Sequence, residues 1–117
     1  DKLVMHDAVE ACVVTGANLG QPLGIVMLNA EALSGIGEPE ARAELEASLA
    51  QHFDRVNATL DPHEKLACLV LAMTPWTVDN DLITPTFKVK RNRIDDLYAM
   101  NYERWEAAGK KVVWHTA

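Results

Sequence analysis

The sequence predicts an α+β fold, in which a β-hairpin and a small antiparallel or mixed sheet are flanked by helices. Three observations support this class: two short apolar runs separated by a glycine-containing turn, a long helical periodicity in the middle, and a second one near the end. The chain has 117 residues, of which 49% are hydrophobic, so we expect one domain with a core that needs neither disulfides nor metal.

The first two elements are strands. Val9–Thr15 is rich in β-branched residues and precedes residues 16–20, which supply the glycines and asparagine typical of a turn. Leu23–Leu28 is a second apolar run of strand length, and Pro22 stands where a strand can begin. The two runs therefore predict an antiparallel hairpin.

A long amphipathic helix follows, with Pro39 in its first turn. Its apolar residues recur at steps of four, four, three and four: Leu45, Leu49, Phe53, Val56 and Leu60. Asp61 and Pro62 then predict a short helical turn, and the apolar residues 66–73 predict a buried strand.

The last third begins with a turn-rich stretch, residues 74–81, and a loop around Lys88. Pro85 disfavours helical backbone just before it, so Lys88 is expected on an exposed and constrained loop. One helical face follows, made of Ile94, Leu97, Tyr98, Asn101, Tyr102 and Trp105. Gly109 is placed to end that helix, before a short apolar segment at 112–114.

The charge distribution argues against a general nucleic-acid-binding protein. The net charge is −6, and residues 1–87 carry 4 basic and 13 acidic side chains. Residues 88–117 carry 7 basic and 4 acidic side chains, so positive charge collects in the last quarter. This basic segment is either a solvated helix or a surface that faces phosphate groups.

Cysteine and histidine usage predicts a reduced, cytoplasmic protein without a metal site. Cys12 and Cys68 lie in apolar, strand-like runs, and no signal peptide or membrane-spanning stretch is evident. The four histidines have no metal-ligand spacing. The opening residues, Asp1 to Val4, resemble the tail of an amphipathic helix, so we expect the chain to be a piece of a larger protein.

Lys88 allows two interpretations when only its surroundings are considered. A lysine on a proline-braced loop can deliver a positive charge to an anionic centre. Alternatively, Lys88 is an ordinary surface lysine, Phe87 anchors the loop in the core and Arg91 belongs to a solvated helix start. The residues themselves favour the second interpretation, since short motifs are weak indicators of function.

The segment from Asn80 to Arg91, which reads NDLITPTFKVKR, resembles the last signature motif of the adenylate-forming superfamily. Within it, the segment is most similar to the long-chain fatty acyl-CoA synthetase branch. Glu64-Lys65 before the strand and the run from Ile94 to Tyr98 extend the resemblance, as does the hairpin of residues 9–28. Many members of the superfamily have glycine before the lysine, whereas this chain has Phe87, which favours the long-chain branch.

The resemblance implies that residues 1–117 are the C-terminal lid domain of an AMP-forming acyl-CoA synthetase. Lys88 would be its catalytic lysine, contacting the acyl carboxylate and the α-phosphate as the acyl-adenylate forms. ATP, Mg²⁺ and the fatty acid would be bound mainly by an N-terminal domain of the same protein. The lid would then rotate so that coenzyme A can attack. The isolated fragment is expected to be inactive.

Other functions stay open. The chain could be the lid of an adenylating enzyme that loads a carrier protein, or a stand-alone α+β interaction or regulatory module. Lys90, Arg91 and Arg93 could attract phosphates or merely aid solubility, so no cofactor-binding residue is assigned. Membrane association is not predicted in either direction.

Overall fold

The computed structural model describes residues 2–16 and 18–115, which form the predicted α+β fold around one four-stranded mixed sheet. The strands are β1 (Val9–Thr15), β2 (Leu23–Leu28), β3 (Leu69–Ala72) and β4 (Val112–His115), and they lie in the order β1-β2-β3-β4. The helices are α1 (Ala30–Gly35), α2 (Pro39–Ala58), α3 (Arg91–Tyr98) and α4 (Tyr102–Ala107). Single 3₁₀ turns form at Lys2–Met5, Pro62–Glu64 and Ala99–Asn101.

The predicted hairpin is confirmed. β1 and β2 pair antiparallel with Thr15 opposite Leu23, and the register shifts between Val9 and Ala11. Gly16 has a φ of 87°, which glycine adopts at little cost and which lets the chain leave β1 sharply. Two residues with sequence-based expectations, Asp1 and the turn residue Ala17, lie outside the described part of the chain.

The second half of the sheet is parallel. β3 pairs with β2 and with β4, and all three strands run in the same direction. The expected turn at Pro62–Glu64 and buried strand within residues 66–73 are confirmed. The short apolar segment near the end is the edge strand β4, a role that its sequence did not predict.

Both faces of the sheet are covered, because side chains alternate between the faces along each strand. On the α2 side, the buried cluster comprises Leu3, Ala8, Val9, Val26, Leu28, Leu49, Phe53, Val56, Leu66, Leu69, Leu71 and Val112. On the α3 side, it comprises Ala11, Val13, Leu23, Ile25, Met27, Cys68, Val70, Ala72, Trp76, Leu82, Ile83, Ile94, Tyr98, Tyr102 and Trp105. The α3-side cluster carries the segment that leads to Lys88.

The long helix follows its predicted pattern. α2 begins at Pro39, and Leu49, Phe53 and Val56 are buried against the sheet. Leu60 lies beyond the helix end but packs against the same cluster. No helix in the described ranges is long and apolar enough to cross a membrane.

The last helical region is interrupted rather than continuous. The 3₁₀ turn Ala99–Asn101 separates α3 from α4, and Gly109, at a φ of 69°, follows the end of α4 as predicted. Tyr98 and Tyr102 are both buried, but their hydroxyls bond to different partners, Trp76 and Asp95. The buried face is narrower than its periodicity indicated, since Leu97 is 47% exposed.

Candidate active site

Lys88 lies at the tip of a tight hairpin within the connection from β3 to β4. Its two legs meet through an antiparallel bridge between Ile83 and Val89, and the Lys90 amide donates to the Leu82 carbonyl at 2.8 Å. Leu82 and Ile83 are buried in the α3-side cluster. The base of the hairpin is therefore part of the core, while its tip is exposed, as the sequence predicted for Lys88.

Thr84 organises the tip. Its carbonyl accepts from the Phe87 amide at 2.8 Å, its amide donates to the Lys88 carbonyl at 2.8 Å, and its Oγ1 accepts from the Lys88 amide at 3.0 Å. Pro85 follows it directly and presets φ near the value that a turn needs at this position. Thr86 Oγ1 lies 3.2 Å from Thr84 Oγ1. The backbone at Lys88 is thus fixed on both sides.

Phe87 has a left-handed backbone, with a φ of 65°. A three-residue hairpin loop usually consists of a turn followed by one residue in the left-handed conformation. Glycine adopts that left-handed position without strain. Such a conformation costs a non-glycine residue about 1–3 kcal/mol. The side chain is 50% exposed, so the expectation that Phe87 anchors the loop in the core is wrong.

The Lys88 ammonium has no hydrogen-bond or ion-pair partner within residues 2–16 and 18–115. Lys90, only two residues later, is paired with Asp81. The Lys88 ammonium can pair with a bound anion without first losing an ion pair. Lys90 would have to leave Asp81 to do the same.

Asp81 joins the two legs of the hairpin to α3. Lys90 Nζ donates to Asp81 Oδ1, and Arg93 Nε lies 3.2 Å from Asp81 Oδ2. The hydrogen bond from Lys90, together with its charge, holds the pKa of Asp81 below its ordinary value. Asp81 itself has a left-handed backbone, with a φ of 65°. Two of the three cations considered as phosphate ligands, Lys90 and Arg93, are therefore already occupied.

The segment before the hairpin is fastened to α3 by side chains. Asn80 closes a turn, because its Oδ1 accepts from the Thr77 amide at 2.8 Å and its Nδ2 donates to the Pro75 carbonyl at 2.9 Å. Trp76 is 2% exposed, and its indole N–H donates to the Tyr98 hydroxyl at 3.2 Å. This packing fixes where the hairpin leaves the core.

A second polar contact fixes α3 and α4 to the sheet. Asp95 Oδ1 accepts from Thr15 Oγ1 at 2.6 Å and from the Tyr102 hydroxyl at 2.7 Å. Burial, and next the hydrogen bond to Asp95, raise the pKa of Tyr102 above its ordinary value. Arg91 is the exposed first residue of α3, as expected, and borders an open cleft with Thr15 and Asp95.

One group in the described residues has metal-ligating atoms close together. One ligand atom from each of Asp61, His63 and Glu64 lies within 4.8 Å of the others, and all three side chains are exposed. They lie at the 3₁₀ turn before β3, on a different segment from the Lys88 hairpin. Exposed acidic groups commonly cluster in this way without binding an ion, so they do not alter the prediction that the chain has no metal site.

Comparison with known proteins identifies the fold. No protein-family model and no curated protein match the sequence, whereas six chains of solved structures do. The adenylation domain of a carboxylate reductase from Mycobacterium chelonae superposes with a TM-score of 0.73 and 20% identity, over 91% of this chain and 17% of that chain. The A domain of carboxylic acid reductase from Segniliparus rugosus, in complex with AMP and a co-purified carboxylic acid, gives 0.70 and 20%, over 91% and 17%.

A third match is the A-PCP didomain of the Segniliparus rugosus reductase in complex with AMP, with a TM-score of 0.68 and 20% identity over 88% of this chain and 14% of that one. The chain therefore spans between 14% and 17% of the length of these three proteins. At this identity, the likeness establishes a shared fold. This chain has the fold of a segment of the adenylation domains.

The exposed position of Lys88 was predicted from the sequence, whereas the side-chain contacts that fix the surrounding segments were not. Neither Asp81 nor Asp95 was predicted to have a role, and Phe87 was placed in the core only in the interpretation of Lys88 as an ordinary surface lysine. The sequence contains only a weak indication of a role for Asp81, namely an aspartate in a turn-rich stretch that basic residues follow. Whether those basic residues pair with Asp81 depends on the chain returning across the bridge between Ile83 and Val89.

Proposed function

We propose that this chain is the lid domain of an enzyme that activates a carboxylic acid by adenylation, with Lys88 as its catalytic lysine. The observation that carries the proposal is an unpaired ammonium on a hairpin whose backbone is fixed on both sides. The shared fold with adenylation domains supports it, and so does the motif from Asn80 to Arg91. The chain would act in the cytoplasm as one domain of a larger protein.

The reaction explains why a cation is needed at this place. A carboxylate oxygen attacks the α-phosphorus of ATP, the bond from that phosphorus to the bridging oxygen breaks, and pyrophosphate leaves with the bonding electrons. Both reactants are anions, so attack requires a positive charge where negative charge develops. Lys88 would supply this charge, and closure of the lid would exclude water from the acyl-adenylate.

The residues around Lys88 do not fit a Mg²⁺ site. Mg²⁺ requires carboxylate oxygens and water in octahedral geometry. Both oxygens of Asp81, the carboxylate that joins the hairpin legs, already face Lys90 and Arg93. A metal bound with ATP would therefore take its ligands from another part of the enzyme, and the role of Lys88 is derived without it.

Within this class, we propose a long-chain fatty acyl-CoA synthetase, in which coenzyme A attacks the acyl-adenylate. The sequence TPTFK at Thr84 to Lys88 supports this branch. The second candidate is the lid of an enzyme that transfers the acyl group to a carrier protein. It is supported by one structural match, an A-PCP didomain. Both candidates share the first half-reaction and the role of Lys88.

The test uses the complete polypeptide encoded by the gene, carrying Lys88→Ala. Pyrophosphate release is followed with ATP and a panel of carboxylic acids of increasing chain length. By comparison with removal of one preorganised donor, we expect formation of acyl-AMP to fall about 10²–10³-fold. Hydrolysis or thiolation of supplied acyl-AMP should survive, because the charge is needed while the adenylate forms.

Lys110→Ala is the matched control, since it removes one exposed positive charge elsewhere in the domain and should leave both half-reactions unchanged. Equal loss of both half-reactions in Lys88→Ala, or loss of neither, contradicts the role of Lys88. No acyl-AMP with any acid contradicts the enzyme class and favours the stand-alone module. Adding coenzyme A or a carrier protein then separates the two candidates by which acceptor forms a thioester.

A further inference from the structure

The strand β4 has one unpaired edge, since it is an outer strand of the sheet in the described part of the chain. On its inner edge, the Leu69 amide donates to the Lys111 carbonyl at 2.8 Å. Successive residues of a strand direct their main-chain groups to alternate edges, so those of Val112 and Trp114 point away from β3. These two amides and two carbonyls have no hydrogen-bond partner within residues 2–16 and 18–115. Such an edge is a template for a further strand.

A groove of about 760 Å³ runs along this unpaired edge, with a helix on each side. Ala43 and Ala47 of α2 bound it on one face of the sheet, and Trp105 of α4 bounds it on the other. Val112 and Trp114 belong to its lining, and we call this space the edge groove. The small alanine side chains leave room beside β4, where a neighbouring strand would lie only about 4.8 Å away.

We propose that the edge groove binds an extended, acidic peptide segment of another protein, which adds a fifth strand to the sheet beside β4. In this mode of recognition, main-chain hydrogen bonds supply affinity, and alternate side chains of the peptide supply specificity. The inference goes beyond the proposed function and does not depend on the role of Lys88.

The cations of the edge groove determine the chemistry of the peptide. Arg104 and Lys110 line it, and neither has an ion-pair partner among the residues that the structure describes. Lys111 also lines it but is already paired with Asp54 at 2.8 Å. The chain as a whole has a net charge of −6, so this positive groove contrasts with the rest of the molecule. Charge complementarity therefore favours glutamate or aspartate side chains in the partner.

Contacts on both faces of the sheet hold β4 in place before a partner binds. On the α2 side, the Trp114 indole N–H donates to the Glu46 carboxylate at 2.6 Å, and the Arg42 guanidinium lies 4.2 Å from the centroid of the Trp114 ring. On the α4 side, the ring centroids of His115 and Trp105 are 5.1 Å apart. The unpaired edge is thus preorganised, which lowers the conformational entropy lost on binding.

A second copy of this chain is a poorer partner for the edge groove. Pairing two β4 strands would bring Arg104 and Lys110 of both copies to the same interface, and like charges that face each other across paired strands are destabilising. The four residues of β4 include no aspartate or glutamate that could neutralise them. A separate acidic segment meets both requirements, the main-chain pairing and the charge.

The experiment uses the complete polypeptide encoded by the gene and a fluorescein-labelled synthetic peptide, acetyl-EVEVEVE-amide, with fluorescence anisotropy as the readout. Its glutamates alternate with valines, so one face of the added strand is acidic and the other is apolar. We expect a Kd below about 1 mM that increases with salt. The charge-reversed peptide, acetyl-KVKVKVK-amide, should bind at least about tenfold more weakly. The acidic peptide methylated at every main-chain nitrogen cannot donate and should lose at least about tenfold as well.

Matched variants place the binding in the edge groove. Arg104→Glu combined with Lys110→Glu should weaken binding of the acidic peptide at least about tenfold, whereas Lys2→Glu, beside a different cavity, should change it less than about twofold. Ala47→Tyr fills the groove and should have a similar effect to the double variant. Gln51→Tyr adds the same ring to an exposed position of α2 outside the groove and should leave binding unchanged.

Hydrogen exchange measured by NMR tests the added strand directly. Saturating acidic peptide should slow exchange of the Val112 and Trp114 amides at least about tenfold, because both gain a hydrogen bond. The Val113 amide faces β3 already and serves as the internal reference. Peptide binding without protection of Val112 and Trp114 would mean that the peptide contacts only the cations, and it would overturn the inference.

Two further results would overturn it. Absence of binding up to about 1 mM, or equal binding of the acidic and the basic peptide, would mean that the lysines merely keep a short edge strand from pairing. A dimer in sedimentation equilibrium that Ala47→Tyr abolishes and Gln51→Tyr does not would assign the groove to a second copy. Since the three peptides are compared on the unaltered protein, the test does not depend on whether a variant folds.

Discussion

The contact of Asp95 with Thr15 and Tyr102 gives the sharpest test of the fold, because it joins α3 and α4 to the end of β1 through one oxygen. Asp95 Oδ1 accepts from two hydroxyls, at 2.6 Å and 2.7 Å, and both donor residues are 8% exposed. Asp95→Ala removes both bonds and leaves two hydroxyls without their acceptor.

The expected cost follows from these contacts. Hydrogen bonds to a charged group contribute about 1.5–3 kcal/mol each when buried, and a stranded buried hydroxyl adds a desolvation penalty. Because the two bonds share one oxygen and Asp95 is partly exposed, we expect a total of about 2–4 kcal/mol. For a chain of this size, the midpoint of thermal unfolding should fall by about 8–16 °C.

Urea denaturation of the 117-residue chain, followed by circular dichroism, measures this free energy of unfolding. Thr15→Val and Tyr102→Phe each remove one donor and should cost about 1 kcal/mol. In the background of Asp95→Ala, both substitutions should become nearly neutral, since their acceptor is already gone. Asp95→Asn, which keeps an acceptor oxygen, should cost less than Asp95→Ala.

Two results would refute the reasoning. A change of less than about 0.5 kcal/mol in Asp95→Ala would place the contact among ordinary surface interactions. Unchanged costs of Thr15→Val and Tyr102→Phe in the Asp95→Ala background would show that the three side chains do not act as a unit.

Two further predictions concern Asp81 and His6. Asp81→Asn weakens the ion pairs with Lys90 and Arg93, so pyrophosphate release by the complete enzyme should fall. Asp81→Glu keeps the negative charge and should restore part of the activity. Unchanged activity in Asp81→Asn would exclude a role of Asp81 in holding Lys88. Burial, and next the neighbouring His52, lower the pKa of His6, whose Nδ1 accepts from the Ala8 amide at 3.0 Å. In the unfolded chain His6 binds a proton near pH 6.5, so the free energy of unfolding should fall as the pH drops below that value. His6→Gln should make the free energy of unfolding less dependent on pH, as measured by urea titrations between about pH 5 and 8. An unchanged pH dependence in this variant would contradict the prediction.

Local patterns were sufficient for the elements that one short stretch of sequence determines. Val9–Thr15 and Leu23–Leu28 are separated by a turn, so their antiparallel pairing needs little beyond their own apolar runs. α2 shows a clear period, and its predicted face packs on the sheet. The fold class and the exposed position of Lys88 were predictable for the same reason.

Elements that depend on distant partners were not predictable in this way. β4 has four residues and becomes a strand by pairing with β3, which precedes it by about forty residues along the chain. The break between α3 and α4 has no proline or glycine to indicate it. It coincides with the point where Tyr98 bonds to Trp76 and Tyr102 bonds to Asp95, two contacts that involve separate parts of the fold.

The candidate site, too, has a part that the local sequence determines and a part that depends on distant contacts. The position of Lys88 follows from Pro85 and the neighbouring turn residues, which act locally. The pairing of Asp81 with Lys90 depends on the return of the chain through the Ile83–Val89 bridge, and Asp81 itself has a left-handed backbone. Sequence patterns do not determine either property, so the distinction between a paired Lys90 and an available Lys88 emerges only from the structure.

The order of the strands has a topological consequence for the two connections that join the parallel strands. From β2 to β3 the chain passes over the α2 side, and from β3 to β4 it passes over the α3 side. Both connections move by one strand in the same direction across the sheet, but they pass over opposite faces. They must therefore have opposite handedness, although about 98% of such crossovers are right-handed. If both had the common hand, α2 would share a face with the Lys88 hairpin. Opposite handedness leaves α2 on the face of the sheet away from the Lys88 hairpin, where a fluorophore or an affinity tag can be attached without touching that hairpin.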